Sequence, residues 1–154
     1  MTRATAPAAP GSPNLSDADF VSTYQFKSPV DSVLVALTDP ERLSRWWTKA
    51  SGSGEQGREL TFFFGDEKLV VRVDEANRSI VQWTPLVSTA EPGWLSTTIA
   101  FTLSQRQNGG TDMIFRHAGL ARLECFDSCR TCWKDYLLSL VDYVDVGQGR
   151  PRER

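Results

Sequence analysis

Between Arg58 and His117, large apolar residues fall two apart in short runs that are broken by turn residues. The runs are Leu60–Phe64, Lys68–Val73, Ser79–Thr84, Leu95–Leu103 and Asp112–His117. A period of two belongs to strands with one buried face, so the runs predict an antiparallel meander. Gly65-Asp66, Glu75-Ala76-Asn77 and Asn108-Gly109-Gly110 supply turns, because Gly and Asn tolerate the backbone angles of tight reversals. Ser88, Pro92 and Gly93 make the stretch 87–93 read as a longer loop over the sheet's edge. Upstream, Phe20, Ser22, Tyr24 and Phe26 share one side at strand period and predict a first strand over 20–27.

Elsewhere the signals are helical. Ser28-Pro29-Val30-Asp31 combines a capping hydroxyl, a proline for the first helical position and an early carboxylate, which predicts a short helix to Ala36 or Leu37. Asp39-Pro40-Glu41 repeats the pattern and starts a second short helix carrying Leu43, Trp46 and Trp47. From Glu124 to Val146 the period lengthens. Cys125, Cys129, Cys132, Tyr136, Leu140 and Tyr143 recur at steps of three and four, and Trp133, Leu137 and Val144 widen the stripe. Glu124 is expected as a first-turn carboxylate of this helix. At 1.5 Å per residue it would be about 34 Å long, and its apolar stripe needs a cover that only the sheet is large enough to give. The expected fold class is therefore α+β: a curved antiparallel sheet of about six to seven strands wrapped around a long C-terminal helix, with two short helices between the first and second strands.

Composition adds boundaries. Residues 1–16 are rich in Pro, Ala and Ser and read as a disordered leader, 17–147 as one folded domain, and 148–154 as a flexible tail. A net charge of −2 over 154 residues argues against a chain built to coat nucleic acid or an anionic membrane. No apolar run reaches the roughly 20 residues of a membrane span, and the N-terminus lacks the apolar stretch of a secretory signal. The three cysteines are crowded into one short segment, unlike a secreted disulfide framework. A cytoplasmic location is the expectation.

The order of elements resembles the START-like helix-grip superfamily, also called SRPBCC or birch-pollen-allergen-like. Ser28-Pro29-Val30-Asp31 and Leu37-Thr38-Asp39-Pro40-Glu41-Arg42-Leu43-Ser44-Arg45-Trp46-Trp47 resemble the opening signature of its bacterial branch related to activators of the heat-shock-protein chaperone ATPase. Phe115-Arg116-His117-Ala118-Gly119-Leu120, Cys132-Trp133, Tyr136 to Leu140, Tyr143-Val144 and Gly147 to Pro151 resemble its ending, so the likeness spans about residues 20 to 151. Where that branch often has Gly before the helix tryptophan, this chain has Cys132.

Function follows less directly. Phe62 and Phe64, Leu69 and Val71, Val81 and Trp83, Ile99 and Phe101, and Met113 and Phe115 can each share a face. The residues alone fit a filled core and an open pocket equally; the resemblance favours the pocket. It implies binding of a small apolar or amphipathic molecule by Trp46, Phe62, Phe64, Trp83, Phe101, Phe115, His117, Cys129, Trp133 and Tyr136. His117, the sole histidine, is the one weak candidate for a catalytic acid or base, and its bland alternative is a satisfied histidine at a strand end. Cys125, Cys129 and Cys132 share one side of the helix, yet thiols at those spacings spread over about 10 Å of axis and converge poorly on one zinc, even with His117 added. Small apolar packing is the expected role, with a redox or reactive thiol as the alternative, and neither metal nor cofactor is expected. Asp31, Asp39 and Glu41 sit where helix starts explain them, and Arg72 and Arg116 fall on the outer parity of their strands. No Ser–His–Asp order, phosphate-cradling Gly loop or dinucleotide fingerprint occurs. Three readings remain: a non-catalytic binding module, a cyclase- or hydrolase-type enzyme using the same cavity, and a module that contacts a chaperone through its outer surface, as a monomer or homodimer.

Overall fold

The computed structural model describes residues 18–152, and the expected leader, 1–16, lies outside them. Strand β1 (Phe20–Phe26) is followed by helices α1 (Val30–Thr38) and α2 (Pro40–Trp46) and a short strand β2 (Ala50–Gly52). The meander is β3 (Glu59–Phe64), β4 (Glu67–Ala76), β5 (Ile80–Ser88), β6 (Thr98–Gln105) and β7 (Thr111–Ala118), and helix α3 (Phe126–Val146) closes the chain. The seven strands form one antiparallel sheet in the order β1-β7-β6-β5-β4-β3-β2. Only the β1–β7 pairing is non-sequential. This is the α+β helix-grip arrangement, with α1 and α2 filling the connection that carries the chain from one sheet edge to the other.

Alternation decides which face looks inward. Phe62, Leu69, Val71, Val73, Val81, Trp83, Ile99, Phe101, Met113 and Phe115 are all buried, while Arg72 points outward to pair with Asp74. Arg116, on the outer side of β7, pairs with Asp19. Two register shifts interrupt the β4–β5 ladder, at Val70/Val71 and Val73/Glu75, where a bulge bends the strand and raises its twist. Helix α3 buries Cys129, Trp133, Leu137 and Leu140. Gly147 ends α3 in the left-handed region at φ 92°, and its N–H donates to Asp142 and Tyr143 carbonyls, an arrangement that favours glycine.

Several local expectations are corrected. Ser28 does not cap α1, whose N-cap is Pro29. Its hydroxyl donates to Asp145 Oδ1 at 2.8 Å, and Asp145 also accepts the N–H groups of Lys27 at 2.9 Å and Ser28 at 3.1 Å. The residue that reads as a cap thus pins the β1–α1 junction to the end of α3. Replacing Asp145 by Ala should cost about 1–2 kcal/mol, because two backbone donors and a hydroxyl lose their charged acceptor. Urea unfolding checks this, and an unchanged midpoint would show that water replaces the carboxylate at no cost. Asp39 does cap α2, accepting from Glu41 N–H at 3.1 Å.

Glu124 lies outside α3, which begins at Phe126, and Asp127 is its first-turn carboxylate. Residues 92–96 form a short 3-10 turn, so the strand expected from Leu95 begins only at Thr98. Pro92 and Gly93 start the turn, and hydroxyls of Ser96 and Thr97 donate to the Gly93 and Trp94 carbonyls. Strand β5 runs on through Pro85 to Ser88, because β6 pairs only with Ile80–Trp83 and the missing proline N–H costs that ladder nothing. Residues 148–152, expected as part of a flexible tail, are seated against α2 and α3. Arg150 N–H donates to Ser139 Oγ, Arg152 N–H to the Trp47 carbonyl, and a Cβ at Gly149 would lie 2.7 Å from the Arg45 carbonyl oxygen.

Candidate functional site

Most of the hollow under α3 is filled by aromatic rings. Phe62 and Trp83 have centroids 5.3 Å apart, Trp83 and Phe101 5.0 Å, Phe101 and Phe115 5.2 Å, and Phe115 and Trp133 4.5 Å. Trp46 is fully buried as well, with its indole N–H donating to the Ala36 carbonyl at 2.9 Å. These spacings are those of packed aromatic cores. Trp46, Phe62, Trp83, Phe101 and Phe115 therefore form the core beneath the helix and do not line the groove beside it.

The open space is displaced to one end. A groove of about 240 Å³ lies between the first half of α3, the start of β4, the end of β5 and the 3-10 turn. Trp47, Phe64, Leu69, Trp94, Trp133 and Tyr136 give it apolar walls, and Lys68, Glu91, Cys129, Cys132 and Arg152 give it polar edges. Of the residues expected at the site, Phe64, Cys129, Trp133 and Tyr136 line this groove, and the other six do not. Trp47 links groove and core: its ring lies 4.3 Å from Phe62, 5.0 Å from Trp133 and 5.9 Å from Phe64, centroid to centroid. Burial pushes the Tyr136 hydroxyl above its usual titration range, so it remains a neutral donor at ordinary pH. Trp94, Glu91 and Arg152 escaped the sequence reading because they lie on a non-periodic turn and a terminal segment. A lone tryptophan within Pro-Gly-Trp was the one available signal.

His117 is fully buried and turned away from the groove by its partners. The Trp133 indole is a donor only, so its 3.0 Å bond to Nδ1 makes that nitrogen an acceptor. Nε2 then carries the proton and donates to Thr97 Oγ1 at 2.9 Å, and the Thr97 hydroxyl donates to the Trp94 carbonyl at 2.6 Å. The Trp94 ring stands edge-on 4.6 Å away. Burial lowers the His117 pKa to about 3, with Asp19 pulling weakly the other way. The imidazole is therefore neutral and fully bonded within the protein. It holds Trp133 and the 3-10 turn in place and offers no nitrogen to a ligand.

The three thiols separate as their helical spacing demands, but only in part. Cys132 is exposed, whereas Cys125 and Cys129, both free thiols, come within 2.6 Å of each other, sulfur to sulfur. Cys125 manages this because it is the N-cap residue, before the first helical position. Burial and then the neighbouring Cys125 push the Cys129 thiol well above its usual pKa.

An aromatic groove beside a packed sheet-and-helix core defines a helix-grip protein. The chain matches the family described as Activator of Hsp90 ATPase homolog 1-like protein over residues 27–145, and it belongs to that family. Among solved structures it is similar to the Aha1 dimer from Colwellia psychrerythraea, with 27% identity over 85% of this chain and 98% of that one and a TM-score of 0.75. It is also similar to DynU16, a protein of the dynemicin biosynthetic locus, at 22% identity, covering 87% of this chain but 49% of that one, TM-score 0.69. A third likeness is to CalU16 from Micromonospora echinospora, at 19% identity over 82% of this chain and 73% of that one, TM-score 0.66. The latter two likenesses speak to fold alone. No curated protein matches the chain. No helix among the described residues is long and apolar enough to cross a membrane.

Proposed function

We propose that the groove binds a small apolar or amphipathic molecule, one or two rings in size, and that the domain acts by binding rather than by catalysis. The observation that carries this reading is an opening of about 240 Å³ walled by six large apolar side chains, left unfilled next to a tightly packed core. A dry cavity of about 150 Å³ accepts benzene, so this volume suits one ring or a fused pair. Lys68 and Arg152 favour an anionic group on such a molecule, and the Tyr136 hydroxyl supplies a neutral donor. The enzyme reading through His117 loses its support, since both ring nitrogens are used inside the protein.

Dimethylaminonaphthalene sulfonate, which has one fused ring pair and one anionic group, tests the proposal. It should bind the folded chain with enhanced emission and quench tryptophan fluorescence. Ala90, exposed at the groove, makes no side-chain hydrogen bond, so Ala90→Trp plugs the opening without disturbing the core. That change should weaken binding by about tenfold or more, equivalent to about 1.4 kcal/mol, with the unfolding midpoint unchanged. Equal affinity for the plugged and native proteins would sink the proposal.

A further inference from the structure

We propose that Glu91, Cys125 and Cys129 form a binding site for one divalent cation of the zinc class at the end of the groove. The inference goes beyond the groove's apolar occupant and does not depend on it. One ligand-bearing atom from each residue lies within 4.8 Å of the other two. The residues come from two separate segments: Glu91 precedes the 3-10 turn after β5, and Cys125 and Cys129 start α3. A single helix could not supply this convergence, and it is the Glu91 turn packed across the helix start that completes it.

The three donor atoms fit zinc after side-chain shifts of about 1 Å. Zinc–sulfur bonds of about 2.3 Å and zinc–oxygen bonds of about 2.0–2.2 Å place tetrahedral ligand atoms roughly 3.5–3.8 Å apart. The two sulfurs, 2.6 Å apart, must open by about 1 Å to admit the ion. Cys129 is held in the helix by its N–H bond to the Cys125 carbonyl at 2.8 Å, so the movement falls to the half-buried Cys125 side chain at the N-cap. Two thiolates select zinc over magnesium or calcium, and a carboxylate as the third donor disfavours copper(I) and iron–sulfur clusters. Cys132 is exposed one turn further on and His117 is committed to Trp133 and Thr97, so neither belongs to the set. Three protein ligands leave a fourth position. Glu91 and Cys129 both line the groove, which directs that position towards it and leaves room for water or for a donor atom on a bound molecule.

The test titrates the full chain, stripped of metal and kept reduced by a phosphine, with zinc alone against a chromophoric chelator. Cadmium serves as a second probe through its thiolate charge-transfer absorption. The native protein should take up one equivalent and show the cadmium band. Cys125→Ser and Glu91→Gln should each weaken zinc by more than the roughly ten- to hundredfold that loss of an outer-shell partner costs. Cys132→Ser should change nothing. The proposal is overturned if the reduced native protein binds no stoichiometric zinc, if Glu91→Gln binds as the native chain does, or if Cys132→Ser loses as much as Cys125→Ser. It is overturned equally if zinc is ignored while mild oxidation joins Cys125 to Cys129, which would make the pair a redox couple. Circular dichroism of each variant separates a lost ligand from a lost fold.

Discussion

Replacing Trp133 by alanine is expected to lower the free energy of unfolding by roughly 3–5 kcal/mol, a large share of the 5–15 kcal/mol that holds a domain of this size together. Trp133 is almost fully buried and its ring touches the core through Phe115, the groove wall through Trp47 and Trp94, and the relay through His117. Two costs add: the cavity left by the indole, and the imidazole Nδ1 deprived of its only donor. Trp133→Phe separates them, since it keeps most of the ring and removes the N–H. It should cost about 1–3 kcal/mol, the penalty for an unsatisfied buried polar atom. Urea unfolding measures both, and a phenylalanine variant as stable as the native chain would show that the Trp133–His117 bond contributes nothing. The alanine variant, if it folds, joins the space vacated by Trp133 to the groove and should admit larger apolar probes than the native protein does.

The strand pattern read well because a period of two leaves no freedom. Once Phe101 points inward, so do Ile99 and Leu103, and every inward pair named from the sequence is buried except Phe64, which sits half-exposed at the groove. The helix was less exact, since a stripe at 3.6 residues per turn is wide. Cys129, Trp133, Leu137 and Leu140 form the buried line, whereas Cys132, placed on the stripe by its spacing, is exposed. Ser28 shows a different failure. A hydroxyl before a proline looks like a cap from neighbouring residues alone, but its partner Asp145 lies 117 positions away.

The site was the least legible part. Whether the hollow beneath α3 is open depends on summed volumes, and Trp46, Phe62, Trp83, Phe101 and Phe115 are large enough to fill it. What stays open is bounded by Trp94 and Glu91, which lie on the 3-10 segment and the residue before it, and by Arg152 near the terminus. None of these has a period to betray it. His117 was placed correctly on the inner face of β7, yet its role rests on Trp133 and Thr97 from two other elements. The strand pattern locates the ring; only the tertiary contacts show that it is fully bonded and sealed.

That sealed ring should make stability depend on pH. His117 titrates near 3 in the folded chain and near 6.5 once unfolded, so between these values the unfolded state binds the extra proton. Stability from this group is therefore fully present above about pH 6.5 and is lost as the pH falls towards 3. One proton gives a slope of about 1.4 kcal/mol per pH unit, or roughly 2–3 kcal/mol between pH 7 and 4.5. His117→Gln isolates the effect, because an amide oxygen can accept from Trp133 and an amide N–H can donate to Thr97 without titrating. The variant should be less stable at pH 7, where a flexible side chain replaces a rigid ring. Its urea midpoint should nevertheless fall more slowly on acidification, and the two curves should converge towards pH 4.5. The Asp74 carboxyl, held below its usual range, is the same in both proteins and cancels in the difference. Parallel curves would mean that the folded chain accommodates a charged imidazole, and that the Trp133–His117–Thr97 relay opens far more readily than its burial implies.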